Sequence, residues 1–125
     1  MRSEKETLIY LIEDDASIRR AIPRLLESLG YRVKVFSSAT GFLEEESCTK
    51  SCIILDIHLE GMNGLDLQRY LVENGVRIPI VFITADDDEE IRRRVEETGA
   101  PFLRKPIQRH QLIDAIQKAV NSYIQ

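Results

Sequence analysis

The sequence predicts a doubly wound α/β fold, one five-stranded parallel sheet in the order 2-1-3-4-5 with helices on both faces. Two observations predict it. Short apolar runs rich in β-branched residues alternate with helix-periodic segments as far as the C-terminus, the pattern of repeated βα units. Two of those runs, Cys52–Leu55 and Ile80-Val81-Phe82-Ile83, are hydrophobic almost without a break, as strands covered on both faces must be. Right-handed crossovers then complete a flavodoxin-like sheet.

The strands are expected at Leu8–Ile12, Tyr31–Phe36, Cys52–Leu55, Ile78–Ile83 and, briefly, Phe102–Leu103, each bounded by turn-forming or charged residues. In the first helix, Ile18, Ala21, Ile22, Leu25, Leu26 and Leu29 share one face. Leu112, Ile113, Ile116, Ala119, Val120 and Tyr123 do so in the last. Both faces must pack on the sheet. Gly30, Gly75 and Gly99 fall where helices should end, in the left-handed conformation that glycine tolerates. Pro23 removes one backbone hydrogen bond from the first helix and should bend it unless that helix begins late. The run Asp86-Asp87-Asp88-Glu89-Glu90 leads into Ile91-Arg92-Arg93-Arg94. Acids at a helix start and the pairs Asp88–Arg92, Glu89–Arg93 and Glu90–Arg94 make a self-paired, solvated helix. It offers the core only Ile91, Val95 and Thr98, so it should be the least firmly docked.

Composition narrows the function. Of 125 residues, 43% are hydrophobic and 30% charged, with 17 basic and 21 acidic side chains and a net charge of −4. A chain of this length buries about two-thirds of its unfolded surface, enough for one core, so residues 1–125 are read as a single domain. No apolar stretch approaches the ~20 residues of a membrane span, and no h-region follows the charged start. The expected location is the cytoplasm. Cys48 and Cys52, with only His58 and His110 elsewhere, make neither a disulfide framework nor a zinc set and read as reduced thiols. An acidic balance argues against direct nucleic-acid binding, which depends on a basic surface.

In an open α/β sheet, ligands bind beyond the carboxyl ends of the strands, where the strand order reverses. Glu13-Asp14-Asp15 follows the first strand and Asp56 ends the third, so four carboxylates should converge. Two like charges about 4 Å apart repel by roughly 4 kcal/mol at an effective dielectric near 20, and a fold that keeps several together holds a cation or a proton there. Magnesium fits, since it takes a few carboxylate oxygens, waters and a phosphate oxygen. The simpler alternative is that one acid caps the first helix and the others are solvated. Thr84-Ala85 and Lys105-Pro106 end the fourth and fifth strands and add a hydroxyl and an ammonium to the same rim. Together these groups describe a phosphoryl site.

Glu13-Asp14-Asp15, Asp56 followed by Gly61-Met62-Asn63-Gly64, Thr84-Ala85 and Lys105-Pro106 resemble the signature of response-regulator receiver domains of two-component signal transduction. The match covers nearly the whole chain, in the family's order and approximate spacing. The resemblance implies that Asp56 accepts a phosphoryl group from a phosphohistidine on a sensor histidine kinase, or exchanges it with a histidine phosphotransfer protein. It makes Glu13 and Asp14 magnesium-binding acids, one direct and one through water, with Asp56 and the backbone carbonyl of His58 as further ligands. Manganese is a possible substitute. It assigns Lys105 and Thr84 to phosphoryl oxygens, makes Ala85 the small residue that leaves room for the group, and places a cis peptide before Pro106. Phe102 matches the switch aromatic that moves inward when Thr84 is drawn to the phosphate, a role compatible with the simpler alternative of a plain core residue. His58 and Asp86 stand where side chains adjust hydrolysis of the acyl phosphate. The resemblance makes the chain a signalling domain rather than an enzyme, one that assists its own phosphotransfer and dephosphorylation. Its expected output face is helix 4, strand 5 and helix 5, which would repack on phosphorylation and offer a charge-patterned contact to a partner, an output domain or a second copy.

Two departures stand out. Glu60 replaces the family's usual proline, and Gly99-Ala100-Pro101-Phe102 is one residue shorter than the common form. Three competing readings are weaker. A haloacid-dehalogenase-like hydrolase needs an acid where His58 stands. A flavin module needs a phosphate loop in place of three acids. A contact-only receiver would not need Asp14, Asp56, Thr84 and Lys105 together. Both a complete single-domain regulator and the receiver of a longer one remain compatible with the sequence.

Overall fold

The structure, a computed structural model, describes residues 8–45, 52–85 and 88–124. Five strands and five helices alternate: β1 Leu8–Ile12, α1 Ala16–Ser28, β2 Arg32–Phe36, α2 Ala39–Leu43, β3 Cys52–Asp56, α3 Gly64–Glu73, β4 Ile80–Thr84, α4 Glu89–Thr98, β5 Phe102–Arg104 and α5 Arg109–Ile124. The strands lie in the order β2-β1-β3-β4-β5, all parallel. The expected sheet is therefore present, and its order reverses between β1 and β3.

Alternation along the strands builds two cores, because successive side chains point to opposite faces. Ile9, Leu11, Ile54, Val81 and Ile83 meet Ile22 and Leu26 of α1 and Leu112, Ala115, Ile116 and Ala119 of α5. Tyr10, Ile12, Ile53, Leu55 and Phe82 meet Phe42 of α2, Leu67 and Leu71 of α3, and Val95 of α4. β3 and β4 are buried along their whole length, as their unbroken hydrophobicity requires. The short α2 carried no clear periodic signal. It is held by Ser38, which caps it, and by edge-on packing of Phe42 against Tyr10 and Phe36. Among the described residues no helix is long and apolar enough to cross a membrane.

Several boundaries and faces differ from expectation for local reasons. Tyr31 is not part of β2, since its N–H donates to the Leu26 carbonyl in the turn that closes α1. β4 starts at Ile80 rather than Ile78, because Pro79 has no N–H to give the ladder, although its carbonyl still accepts from Ile53 at 2.8 Å. Ala21 is exposed, one step off the buried stripe of Ile22 and Leu26. Tyr123's side chain and Cys48 lie outside what the structure describes. Cys52 is a free, buried thiol whose pKa burial raises to about 12, which makes it inert. α1 begins at Ala16, so Pro23 falls inside it.

The helix ends follow the chemistry. Gly30, Gly75 and Gly99 all take positive φ, at 94°, 73° and 76°, and Gly99 itself caps α4. Only Val95 of α4 is buried. Arg93 lies 3.1 Å from Glu97 and 3.8 Å from Glu90, partners other than the expected Glu89. Asp88 serves as the N-cap of α4, accepting from the Glu90 amide.

Candidate phosphoryl and metal site

The chain ends of β1, β3, β4 and β5 meet at the reversal of strand order. Hydrogen bonding carries the sheet slightly beyond its strands there. Glu13 N–H donates to the Phe36 carbonyl at 3.0 Å, Ile57 N–H to the Ile83 carbonyl at 3.0 Å, and Lys105 N–H to the Thr84 carbonyl at 2.8 Å. Those three bonds aim Glu13, Asp56, Thr84 and Lys105 at one rim. The Lys105–Pro106 peptide is cis, as expected from the resemblance.

Glu13, Asp56 and Thr84 are the buried polar or charged residues of the described chain, and Asp14 is exposed beside them. Carboxylate oxygens of Glu13, Asp14 and Asp56 all lie within 4.8 Å of one another. Lys105 Nζ, 16% exposed, is 2.9 Å from Glu13 Oε1 and 3.6 Å from Asp56 Oδ2. The other oxygens are engaged by backbone: Asp15 N–H donates to Glu13 Oε2 at 3.1 Å and His58 N–H to Asp56 Oδ1 at 3.2 Å.

Three carboxylates converge rather than four. Asp15 turns away as the N-cap of α1, accepting from the amides of Ser17 and Ile18 at 2.8 and 3.3 Å and from the Ser17 hydroxyl at 2.9 Å. Its carboxyl is held below the ordinary range by those donors. An Asp preceding a helix satisfies amides that have no other partner, and this local demand outweighs attraction to the site.

Glu13 is the electrostatic centre of the cluster. Desolvation, and then the neighbouring Asp56, raise its pKa from 4.5 to about 7, against the opposing pull of Lys105. Glu13 Oε1 is fully buried, and the partner the structure gives it is the Lys105 ammonium at 2.9 Å, held as an ion pair. A buried acceptor of this kind, with two further carboxylates in reach, fits a small hard cation. Without a metal, the folded state binds more protons than the unfolded chain between about pH 4.5 and pH 7. Stability from this group is therefore present below about pH 4.5 and is lost as pH rises through about 7. Metal-free protein should lose no more than a few kcal/mol this way, and Glu13→Gln should remove that slope. Urea unfolding at stepped pH reads it. An unchanged slope in the variant would assign the titration to another group.

The remaining expected residues are placed as follows. Thr84 is fully buried at the end of β4, adjacent to the Asp56–Ile83 register. The His58 side chain is exposed while its amide serves Asp56. Phe102 opens β5 opposite Phe82, half-buried against the core that contains Val95. Asp86 lies outside the described residues. Two contributors had no recognised role in the sequence. Arg19 Nη1 donates to the Glu13 carbonyl at 3.1 Å, a bond across six residues that no motif signals. Gly64 rests on the backbone of β3, where a Cβ would fall 2.5 Å from the Asp56 carbonyl oxygen. It belongs to the Gly61-Met62-Asn63-Gly64 run, and its steric reason arises only where α3 meets β3 in the fold.

The model of the response regulator receiver domain family matches residues 9–117. The chain is 39% identical over 120 residues to the response regulator protein TmoT of Ectopseudomonas mendocina, covering 94% of this chain and 54% of that protein. It is 36% identical over 114 residues to the transcriptional regulatory protein TdiR of Thauera aromatica, covering 90% and 50%. The solved structure of the response regulator StyR superposes with a TM-score of 0.84 at 34% identity, over 94% of this chain and 60% of that one. The chain spans about half the length of the curated relatives it matches.

Proposed function

This chain belongs to the response-regulator receiver family of two-component signalling domains, and from that premise we propose that Asp56 is its phosphoacceptor. The observation that carries the reading is the setting of Asp56. It is a buried carboxylate, gripped at one oxygen by the His58 amide and faced at the other by Lys105, within a cluster of acids. An Asp56 oxygen attacks the phosphorus of a phosphohistidine on a sensor histidine kinase or histidine phosphotransfer protein. The O–P bond forms as the N–P bond breaks, and the imidazole keeps the electron pair. Hydrolysis later returns the phosphoryl group to water and restores the carboxylate, with His58 and Asp86 adjusting its rate.

Catalysis here is positioning and charge neutralisation. Glu13, Asp14, Asp56 and the His58 backbone carbonyl would hold Mg²⁺, or Mn²⁺ in its place. The bound ion would supply positive charge against the incoming phosphoryl oxygens. Lys105 moves from Glu13 and Asp56 to a phosphoryl oxygen, as a compact cation on a flexible stem can. The Thr84 hydroxyl donates to another oxygen, and the small side chain of Ala85 leaves the group room.

The domain passes this event on by repacking. Motion of Thr84 draws Phe102 inward, and Phe102 lies beside a groove of about 500 Å³ lined by Pro101, Leu103, Asp114 and Lys118. With the charged, lightly docked α4, that groove forms an α4–β5–α5 face for a partner, an output domain or a second copy. Longer relatives named as regulators of transcription support an attached output, with residues 1–125 as one cytoplasmic receiver that does not itself hold nucleic acid or membrane.

Intact-mass spectrometry after incubation with Mg²⁺ and acetyl phosphate tests the reading, with size-exclusion chromatography on the same samples. One labile phosphoryl group should appear, and it should vanish with a chelator and in Asp56→Asn. Persistence of the adduct in Asp56→Asn would overturn the assignment, as would its absence with both acetyl phosphate and a phosphorylated kinase.

A further inference from the structure

We propose that Arg19 is a positioning residue for the metal-binding loop, an inference that rests on the reading of Glu13 and Asp14 as cation ligands. Arg19 lies on the first turn of α1 after the Asp15 cap, and its amide donates to the Asp15 carbonyl at 3.0 Å. Its half-buried side chain reaches back six residues, and Nη1 donates to the Glu13 carbonyl at 3.1 Å. The peptide unit is planar. A bond to the Glu13 oxygen therefore also fixes the amide of Asp14 and the direction in which the chain leaves for the Asp14 Cα.

The loop from β1 to α1 is also pinned by one bond across the sheet and by short-range bonds to the helix start. Glu13 N–H is tied to β2, Glu13 Oε2 to the Asp15 amide, and Asp15 to the helix start. None of these bonds holds the plane between Glu13 and Asp14. Arg19 does, and it thereby keeps the exposed Asp14 within reach of the buried Glu13 and Asp56. Residues that orient metal ligands without touching the ion commonly contribute 10- to 100-fold in affinity. Arg19 acts through a backbone carbonyl, so the lower end of that range applies.

The sign of the effect separates this role from simple electrostatics. A guanidinium near a cation site repels the cation, so removing the charge alone should tighten metal binding. Loss of a positioning bond should weaken it. Titration calorimetry with MgCl₂ on the whole chain, above the titration of Glu13 and well below melting, compares wild type, Arg19→Gln, Arg19→Lys and Asp14→Asn. Arg19→Gln should bind Mg²⁺ about 10-fold more weakly, with partial recovery in Arg19→Lys. Phosphoryl uptake from acetyl phosphate should need correspondingly more Mg²⁺ yet approach the wild-type rate at saturation. Unchanged or tighter binding by Arg19→Gln would overturn the role of Arg19 and leave the site reading intact. Wild type that binds no Mg²⁺, or binds it no better than Asp14→Asn, would overturn the site reading and this proposal with it.

Discussion

Replacing Lys105 with methionine is expected to lower phosphoryl uptake at Asp56 by about 100-fold or more and to make the metal-free protein markedly less stable at high pH. The ammonium stands 2.9 Å from Glu13 Oε1 and 3.6 Å from Asp56 Oδ2, and among the described residues it is the cation paired with those two buried acids. Breaking a buried ion pair from one side leaves the other charge uncompensated, typically at about 3–5 kcal/mol. Here the cost is limited, because Glu13 can take up a proton. About 2–3 kcal/mol is a reasonable expectation at about pH 8, which is a fall in the melting midpoint of roughly 8–12 °C for a domain of this size.

The pH dependence gives this prediction its sign. Lys105 opposes the rise in the Glu13 pKa, which already lies at about 7, so its loss pushes that pKa higher. Below the shifted pKa, Glu13 is neutral in the variant and no longer repels Asp56. The stability gap between wild type and Lys105→Met should therefore narrow to half or less at about pH 5.5 and widen as pH rises. Thermal melts of both proteins across that range, in chelator, check it. Lys105→Arg supplies the second arm. It keeps the charge but replaces a compact ammonium with a planar fork, so most of the stability should return while phosphoryl uptake stays low. A gap that does not change with pH would mean that Lys105 stabilises by packing alone.

The parts of the site that were legible in the sequence are those that strand periodicity places. Once Cys52–Leu55 and Ile80–Ile83 read as buried parallel strands, the residues just beyond them, Asp56 and Thr84, had to share a rim with Glu13 and Lys105. What was not legible depends on competition among polar groups within a turn. Asp14 and Asp15 are identical in kind and adjacent, yet one faces the cluster and the other caps α1. Only the direction of the chain decides between them. The same holds for Ala21, exposed one position from the buried Ile22, where a small side chain adds little to the periodic signal. Arg19 is a harder case, because an arginine on a surface helix normally reads as solvated charge, and its carbonyl partner lies on a different element.

Gly64 illustrates a constraint that neither periodicity nor charge can express, and Gly64→Ala is expected to be among the most damaging single-methyl additions in the chain. A Cβ at this position would lie 2.5 Å from the Asp56 carbonyl oxygen, 2.9 Å from Ile57 Cα and 3.1 Å from the Asp56 carbonyl carbon. All three are backbone atoms of the segment that presents the phosphoacceptor, so no side chain can rotate to make room. Gly64 N–H also donates to the Ile57 carbonyl at 2.9 Å, while Asn63 caps α3 through the Asp66 amide at 2.9 Å. The N-terminus of α3 thus sits directly on the end of β3, and an inserted methyl must push the two apart. Overpacking of this kind costs about 1–3 kcal/mol, more where backbone must move, so a midpoint lower by roughly 10 °C is expected. Displacement of the Asp56 backbone should also lower phosphoryl uptake at saturating Mg²⁺ by roughly 10- to 100-fold, since reacting groups tolerate little misplacement. Gly61→Ala is the comparison that isolates the cause. Gly61 has a φ of 78° but nothing within 4 Å of its added Cβ, so the methyl there brings backbone strain of about 1 kcal/mol without a collision. Melting and acetyl phosphate labelling of the two variants side by side decide the point. Equal losses would show that the loop's conformation, rather than the contact between α3 and β3, sets the position of Asp56.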